Sequence, residues 1–295
     1  VVTEDSGNLV QLHALNRDAL GDVSPTDACT EIDGSPIPLG TNVDVTTFTI
    51  DDRSRLLYVG LSTGDLRVIN TERADQLIEV RRFVTGAPLL SFSSRVANSS
   101  VGQLFIGTDN NQVLRVNVTK SLDGGLSVST PQTCIQGIGN NVENVQIFAG
   151  KTYYSAGDGV FRFDETSCGS STLERVFTGS ASVNALKIGR VTFGSIRTTR
   201  IAVGLTNGDV HVLTNIGTEV SGSPINVGGS ITAMGINDGG GARSRSAESV
   251  FVATDNGIVT NINIKNVAEC DSPFEISSGT RVNVLGIYEP DSDVA

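Results

Sequence analysis

Arginine is the residue type that this sequence places where chemistry can happen. Of 17 arginines, against only 4 lysines, eight stand in loops that lead into a recurring apolar strand: Arg53, Arg55, Arg95, Arg190, Arg197, Arg200, Arg243 and Arg245. A guanidinium is a planar fork of donors that grips a carboxylate, sulfate or phosphate through two parallel hydrogen bonds. A surface that gathers these side chains would bind a carboxylate-rich protein or an anionic glycan, and the eight form the candidate binding site.

Other chemistry is poorly supplied. His13 and His211 lie within alternating runs and read as half-buried strand residues. No Ser-His-Asp or Cys-His set can be assembled. Gly239-Gly240-Gly241 lacks the Lys-Ser/Thr that completes a phosphate loop. Acidic turns such as Asp255-Asn256-Gly257 lack the alternating oxygen ligands and closing Glu of a calcium loop. No catalytic residue, metal ligand or cofactor is therefore expected. The four cysteines, Cys29, Cys134, Cys168 and Cys270, are dispersed without a Cys-x-x-Cys pair, which argues for two disulfides in an oxidising compartment rather than for zinc. Asn98-Ser99-Ser100 and Asn117-Val118-Thr119 match the N-glycosylation triplet.

A formal charge of −11 repels nucleic acid and anionic membrane surfaces, so neither is an expected partner. No apolar run approaches the ~20 residues that cross a bilayer, and direct membrane insertion is not expected. A chain that opens on Val1 with no leader suggests a removed export signal or a piece of a longer protein. The expected location is secreted, periplasmic or cell-surface.

The elements that must carry these residues repeat. An apolar strand ending in a small residue, a tight polar turn and an alternating strand return five times, as LLYVGLSTGDLRVIN from Leu56, QLFIGTDNNQVLRVNV from Gln103, KTYYSAGDGVFRFD from Lys151, RIAVGLTNGDVHVLT from Arg200 and SVFVATDNGIVTNINI from Ser249. Their small anchors, Gly60, Gly107, Ala156, Gly204 and Ala253, lie 47, 49, 48 and 49 residues apart, and a looser sixth copy opens the chain. A period of this length with a hairpin inside it predicts a β-propeller.

Each unit reads as four antiparallel strands, A to D, with the anchor strand as B. The chain begins on a B strand and ends on an A-like strand from Val282, so the prediction is a six-bladed ring closed by pairing the C-terminal strand with the N-terminal blade. Residues 1–289 form a single propeller domain in this reading, and 290–295 a tail or the start of a linker. Cys29 and Cys270 then fall in blades that become neighbours on closure, and Cys134 and Cys168 in adjacent blades. The expected bridges are Cys29–Cys270 and Cys134–Cys168.

DDRSRLLYVGLSTGDLRVIN from Asp51 and RIAVGLTNGDVHVLT from Arg200 resemble the broad superfamily of exported propellers that includes YVTN-type and quinoprotein-like repeats. The chain has no Trp, so neither the Trp-Asp ending of WD repeats nor the tryptophan motif of quinoprotein alcohol dehydrogenases is present. The leading expectation is a non-enzymatic binding or assembly module that holds a protein or anionic glycan partner, or a second copy of itself. A quinoprotein- or lactonase-like enzyme and a subunit of a repeating extracellular assembly are the alternatives.

Overall fold

Period-two alternation makes each returning segment an antiparallel strand pair, because one face must be buried and the other need not be. The computed structural model describes residues 2–4, 8–12, 34–51, 55–73, 76–98, 101–120, 126–136, 139–169, 172–237, 249–269 and 274–275. Two compact units result, Val1–Ile138 and Gly139–Ala295.

The first unit holds three sheets. Sheet one is β1 (Val2–Glu4), β2 (Leu9–Leu12) and β3 (Ile37–Thr41). Sheet two is β4 (Val45–Asp51), β5 (Leu56–Leu61), β6 (Asp65–Arg73) and β7 (Gln76–Val84). Sheet three is β8 (Leu89–Asn98), β9 (Val101–Thr108) and β10 (Gln112–Lys120), with β11 (Leu126–Val128) and β12 (Gln132–Gln136) both along β10.

The second unit also holds three. Sheet four is β13 (Val142–Phe148), β14 (Lys151–Ala156), β15 (Gly159–Asp164) and β16 (Glu174–Thr178). Sheet five is β17 (Val183–Phe193), β18 (Ile196–Leu205), β19 (Asp209–Thr214) and β20 (Ile225–Asn226). Sheet six is β21 (Ile231–Asn237), β22 (Ser249–Thr254) and β23 (Ile258–Asn263), with β24 (Ala268–Glu269) and β25 (Phe274–Glu275) both along β23. Every pairing among the described residues is antiparallel, and apart from β12 and β25 each strand of a sheet pairs with the next in the chain, as the repeat demands.

Neighbouring sheets pack through their first strands: β4 lies along β8 in the first unit, β13 along β17 and β17 along β21 in the second. The small anchors are explained by this packing. A Cβ on Gly60 would lie 2.7 Å from Phe92 Cζ of the next sheet, and one on Gly204 would lie 2.7 Å from Ile231 Cγ2 and 2.8 Å from Met234 Sδ. The anchor is small because the next sheet's first strand occupies the space its side chain would need.

A second regularity was not legible in the repeat. Each of β4, β8, β13, β17 and β21 carries a register shift near its start, at Val45/Thr47, Leu89/Ser91, Val142/Asn144, Val183/Ala185 and Ile231/Ala233. Such bulges bend a strand and sharpen its twist, which lets four-stranded sheets fan out from crowded first strands. Between the sheets lie continuous apolar layers. Leu56, Tyr58, Leu66 and Val68 meet Leu104, Ile106, Leu114 and Val116 in the first unit; Val210, Val212 and Ala202 meet Val250, Val252 and Ile262 in the second. Each of the Leu, Ile and Val side chains contributes roughly 1.5–3 kcal/mol when fully buried.

Candidate functional site

The turns first decide which polar residues are already used. Between the second and third strands, Gly64 and Gly208 adopt φ of +83° and +88°, and Asn111 takes the same left-handed region at +65°. These connections close tightly, with Gly64 N–H donating to Leu61 O and Gly208 N–H to Leu205 O. Little chain remains there to shape a pocket.

The third strands of four sheets carry a basic residue in the same apolar–basic–apolar step: Leu66-Arg67-Val68, Leu114-Arg115-Val116, Phe161-Arg162-Phe163 and Val210-His211-Val212. Each reaches a polar side chain alongside it. Arg67 Nη1 donates to both Glu79 oxygens at 2.8 Å, Arg115 Nη2 to Gln132 Oε1 at 2.7 Å, and Arg162 to both Glu174 oxygens at 2.7 and 2.8 Å. Arg67 Nη2 also donates to Leu39 O of the preceding sheet at 2.9 Å, and Arg162 Nη1 to Asn215 O of the following one. His211 occupies this position in sheet five, with Nδ1 2.5 Å from Glu219 Oε1 and its ring 4.8 Å from that of Phe177. It is a half-buried strand residue doing the work of an arginine. His13 lies outside the described residues.

The hydrogen bond to Arg162 holds Glu174 below the usual carboxylate range, and the same contact raises the guanidinium of Arg162. These pairs are neutralised, and so are Arg82–Asp65 at 2.5 Å and Arg175–Asp158 at 2.8 Å.

Against that background the β17–β18 hairpin differs. It is the longest in the second unit, with strands of 11 and 10 residues joined by Gly194-Ser195. Opposed residues share a face, so the pairs Phe193–Ile196 and Gly189–Arg200 put Phe193, Ile196 and Arg200 on one side. The pairs Thr192–Arg197 and Arg190–Thr199 put Arg190 and Arg197 on the other. Phe193 and Ile196 are 40% and 68% exposed at the tip.

Arg200 is only 9% exposed, its Nη1 reaches Thr199 O at 3.5 Å, and its buried Nε has no hydrogen-bond partner. Its guanidinium lies 5.5 Å from the centroid of the Phe193 ring, and Lys265 Nζ of sheet six lies 5.2 Å from the same centroid. Burial pulls the pKa of Arg200 down, as expected for a cation with no carboxylate to compensate lost water. Arg190 is exposed and stacks 5.5 Å from the Phe148 ring, and Arg197 is exposed. None of Arg190, Arg197, Arg200 or Lys265 has a carboxylate partner among the described residues.

The rest of the expected arginine set divides. Arg55 is exposed in the turn before β5, at φ +55°, with its carbonyl accepting from Thr71 N–H and Oγ1. Arg95, in β8 opposite Gln103, is half-buried and already engaged by a neighbour. Both belong to the first unit, whereas Arg190, Arg197 and Arg200 belong to the second. Arg53, Arg243, Arg245, Cys29 and Cys270 lie outside the described residues. Cys134, in β12, and Cys168, after the 3-10 turn Glu165–Ser167, are each disulfide-bonded. Lys265 and Phe193 were missed in the sequence, although an aromatic beside a hairpin turn with basic neighbours was a usable signal. Among the described residues no group of three or more His, Cys, Asp or Glu side chains could hold a metal ion.

No protein-family model matches this chain, and no curated protein does. Its fold is similar to solved structures. A chain of the mitotic checkpoint complex aligns with a TM-score of 0.63 at 13% identity, covering 97% of this chain and 82% of that one. The structure of U3-55K aligns at 0.64 and 10% identity over 97% and 80%, and the WD40 β-propeller domain of Doa1 at 0.55 and 14% over 82% and 71%. With its ordered antiparallel sheets and first-strand packing, this chain has the β-propeller fold.

Proposed function

We propose that the chain is a non-enzymatic binding or assembly module, a rigid propeller that holds a protein or anionic glycan partner on loop surfaces. The observation that carries this reading is the β17–β18 hairpin, where Arg190, Arg197 and Arg200 have no carboxylate partner among the described residues while Arg67, Arg82, Arg162 and Arg175 do. Burying the Arg200 guanidinium without a carboxylate costs stability that a partner's carboxylate would offset, while Arg190 and Arg197 stand exposed on the other face of the hairpin.

The propeller in this proposal has six blades and belongs to the exported YVTN/quinoprotein-like kind. Among the described residues sheet one has three strands where the others have at least four, and in this proposal residues 282–288, which lie outside the described residues, supply the inner strand that completes it and closes the ring, making 1–289 one domain. The protein is secreted, periplasmic or cell-surface, and its bridges are Cys134–Cys168 and Cys29–Cys270. Intact-mass analysis after alkylation without reductant should find no labelled thiol; labelling of any cysteine would remove the corresponding bridge.

Native mass spectrometry of protein purified gently from its source tests the function. A complex with another chain, an acidic glycan or further copies of itself is expected. A monomer carrying a small molecule or metal would replace the proposal with an enzymatic one.

A further inference from the structure

The end of the second unit that carries these arginines is also its exposed apolar surface. The large hydrophobic residues exposed among the described residues of that unit are Leu173, Phe193, Ile196 and Ile216, at 38, 40, 68 and 68%. Leu173 lies between β15 and β16, Ile216 between β19 and β20, and Phe193 and Ile196 at the β17–β18 tip. In an antiparallel four-stranded sheet these connections, first-to-second and third-to-fourth, lie at one end. Lys265 follows β23 and reaches Phe193 from the same end of sheet six. The second-to-third turns at the opposite end carry Asp158, Asp209 and Asp255.

We propose that this end of the second unit docks an acidic, apolar peptide segment of a partner protein, with Arg200 and Lys265 flanking Phe193 as the point that receives a carboxylate. The proposal rests on the binding-module reading above and narrows its partner to a protein. Three features favour that occupant. Arg200 is nine-tenths buried with a partnerless Nε, so it offers one deep, fixed contact rather than a diffuse field. Both cations already lie against an aromatic ring, and this lets a carboxylate bind beside apolar surface without leaving either charge isolated. Ile196 opposite Phe193, with Leu173 and Ile216 exposed at the same end of their sheets, suits apolar residues between acidic ones, which a sulfated glycan does not have. Aromatic and Arg side chains at a small apolar centre are the composition of interface hot spots.

The test uses the full chain and fluorescence anisotropy with a short fluorescein-labelled peptide alternating Glu with Leu. Binding should weaken with salt, and the peptide carrying Gln for Glu should bind about tenfold more weakly, the factor for one lost charged hydrogen bond. Lys265→Gln, in the half-buried turn after β23, and Ile196→Ser, at the exposed tip of the hairpin, should each weaken binding several-fold, and Asp255→Asn at the opposite end should not. The inference is overturned if the Glu-Leu peptide does not bind at millimolar concentration, if the Gln peptide binds equally, or if Lys265→Gln and Ile196→Ser change nothing. It is also overturned if a heparin-type oligosaccharide binds through these same residues in preference to the peptide, or if the chain self-associates through them. A protein complex seen by native mass spectrometry alongside any of these outcomes would leave the binding-module reading standing and remove only this site.

Discussion

Asn184 in β17 donates its side-chain amide to the backbone oxygen of Ile231 in β21, 3.0 Å away. Asn144 in β13 makes the same bond to the oxygen of Asn184 at 3.2 Å, and the Thr46 hydroxyl in β4 donates to Leu89 O in β8. Each donor lies at or beside the bulge of its strand, and each acceptor lies on the first strand of the next sheet. The bulge frees a carbonyl from its ladder and the neighbour's side chain takes it.

Asn184→Leu removes one link and leaves a part-buried carbonyl unpaired. The expected cost is about 1–3 kcal/mol, read as a lower urea midpoint at unchanged slope. An unchanged midpoint would show that water replaces the amide without loss.

Gly204→Val drives a branched side chain into Ile231 and Met234, which already lie 2.7 and 2.8 Å from where a Cβ would stand. Overpacking of this kind costs roughly 1–3 kcal/mol. Thermal unfolding of this variant should begin at a lower temperature than the parent's; parity would mean that the sheets part freely at this position.

Arg67→Met strips Glu79 of its partner and Leu39 O of a donor. A loss of about 1–3 kcal/mol is expected. His211→Arg, by contrast, installs beside Glu219 the cation the other sheets use, and should fold with stability close to the parent's. Strong destabilisation by His211→Arg, measured by the same urea titration, would contradict the equivalence of the two positions.

Glu143, at the bulge of β13, is exposed at its surface yet partly desolvated by the atoms packed around it, which raises its pKa. The folded state then holds this proton to higher pH than the unfolded chain does, so stability falls as pH rises from the ordinary carboxylate pKa through the raised one. Glu143→Gln should therefore be more stable than the parent at neutral pH, with the gain vanishing at pH values below the ordinary Glu range. Urea midpoints across that range decide it, and a difference independent of pH would assign the effect to packing instead.

Arg190, Arg197 and Arg200 were expected in a loop between two strands, whereas the structure extends the strands up to Gly194-Ser195, so Arg190 stands in β17 and Arg197 and Arg200 in β18. Lys265 was not singled out in advance, since it lies in the turn after β23 and gains meaning only beside Phe193. Arg200 was expected as a surface group and is nine-tenths buried, opposite Gly189 across the hairpin and against the Phe193 ring.

By itself the sequence determined the repeat, its strands and its small anchors. Alternation and turn chemistry act within a few residues, and a period near that of a propeller blade permits few other architectures. Only the tertiary structure decided which charges cancel. Arg162 meets Glu174 and Asn215 while Arg200 meets an aromatic ring, a difference set by what the neighbouring strand and sheet place within reach. Ion pairing depends on a few ångströms between residues far apart in the chain, and no local pattern encodes that distance.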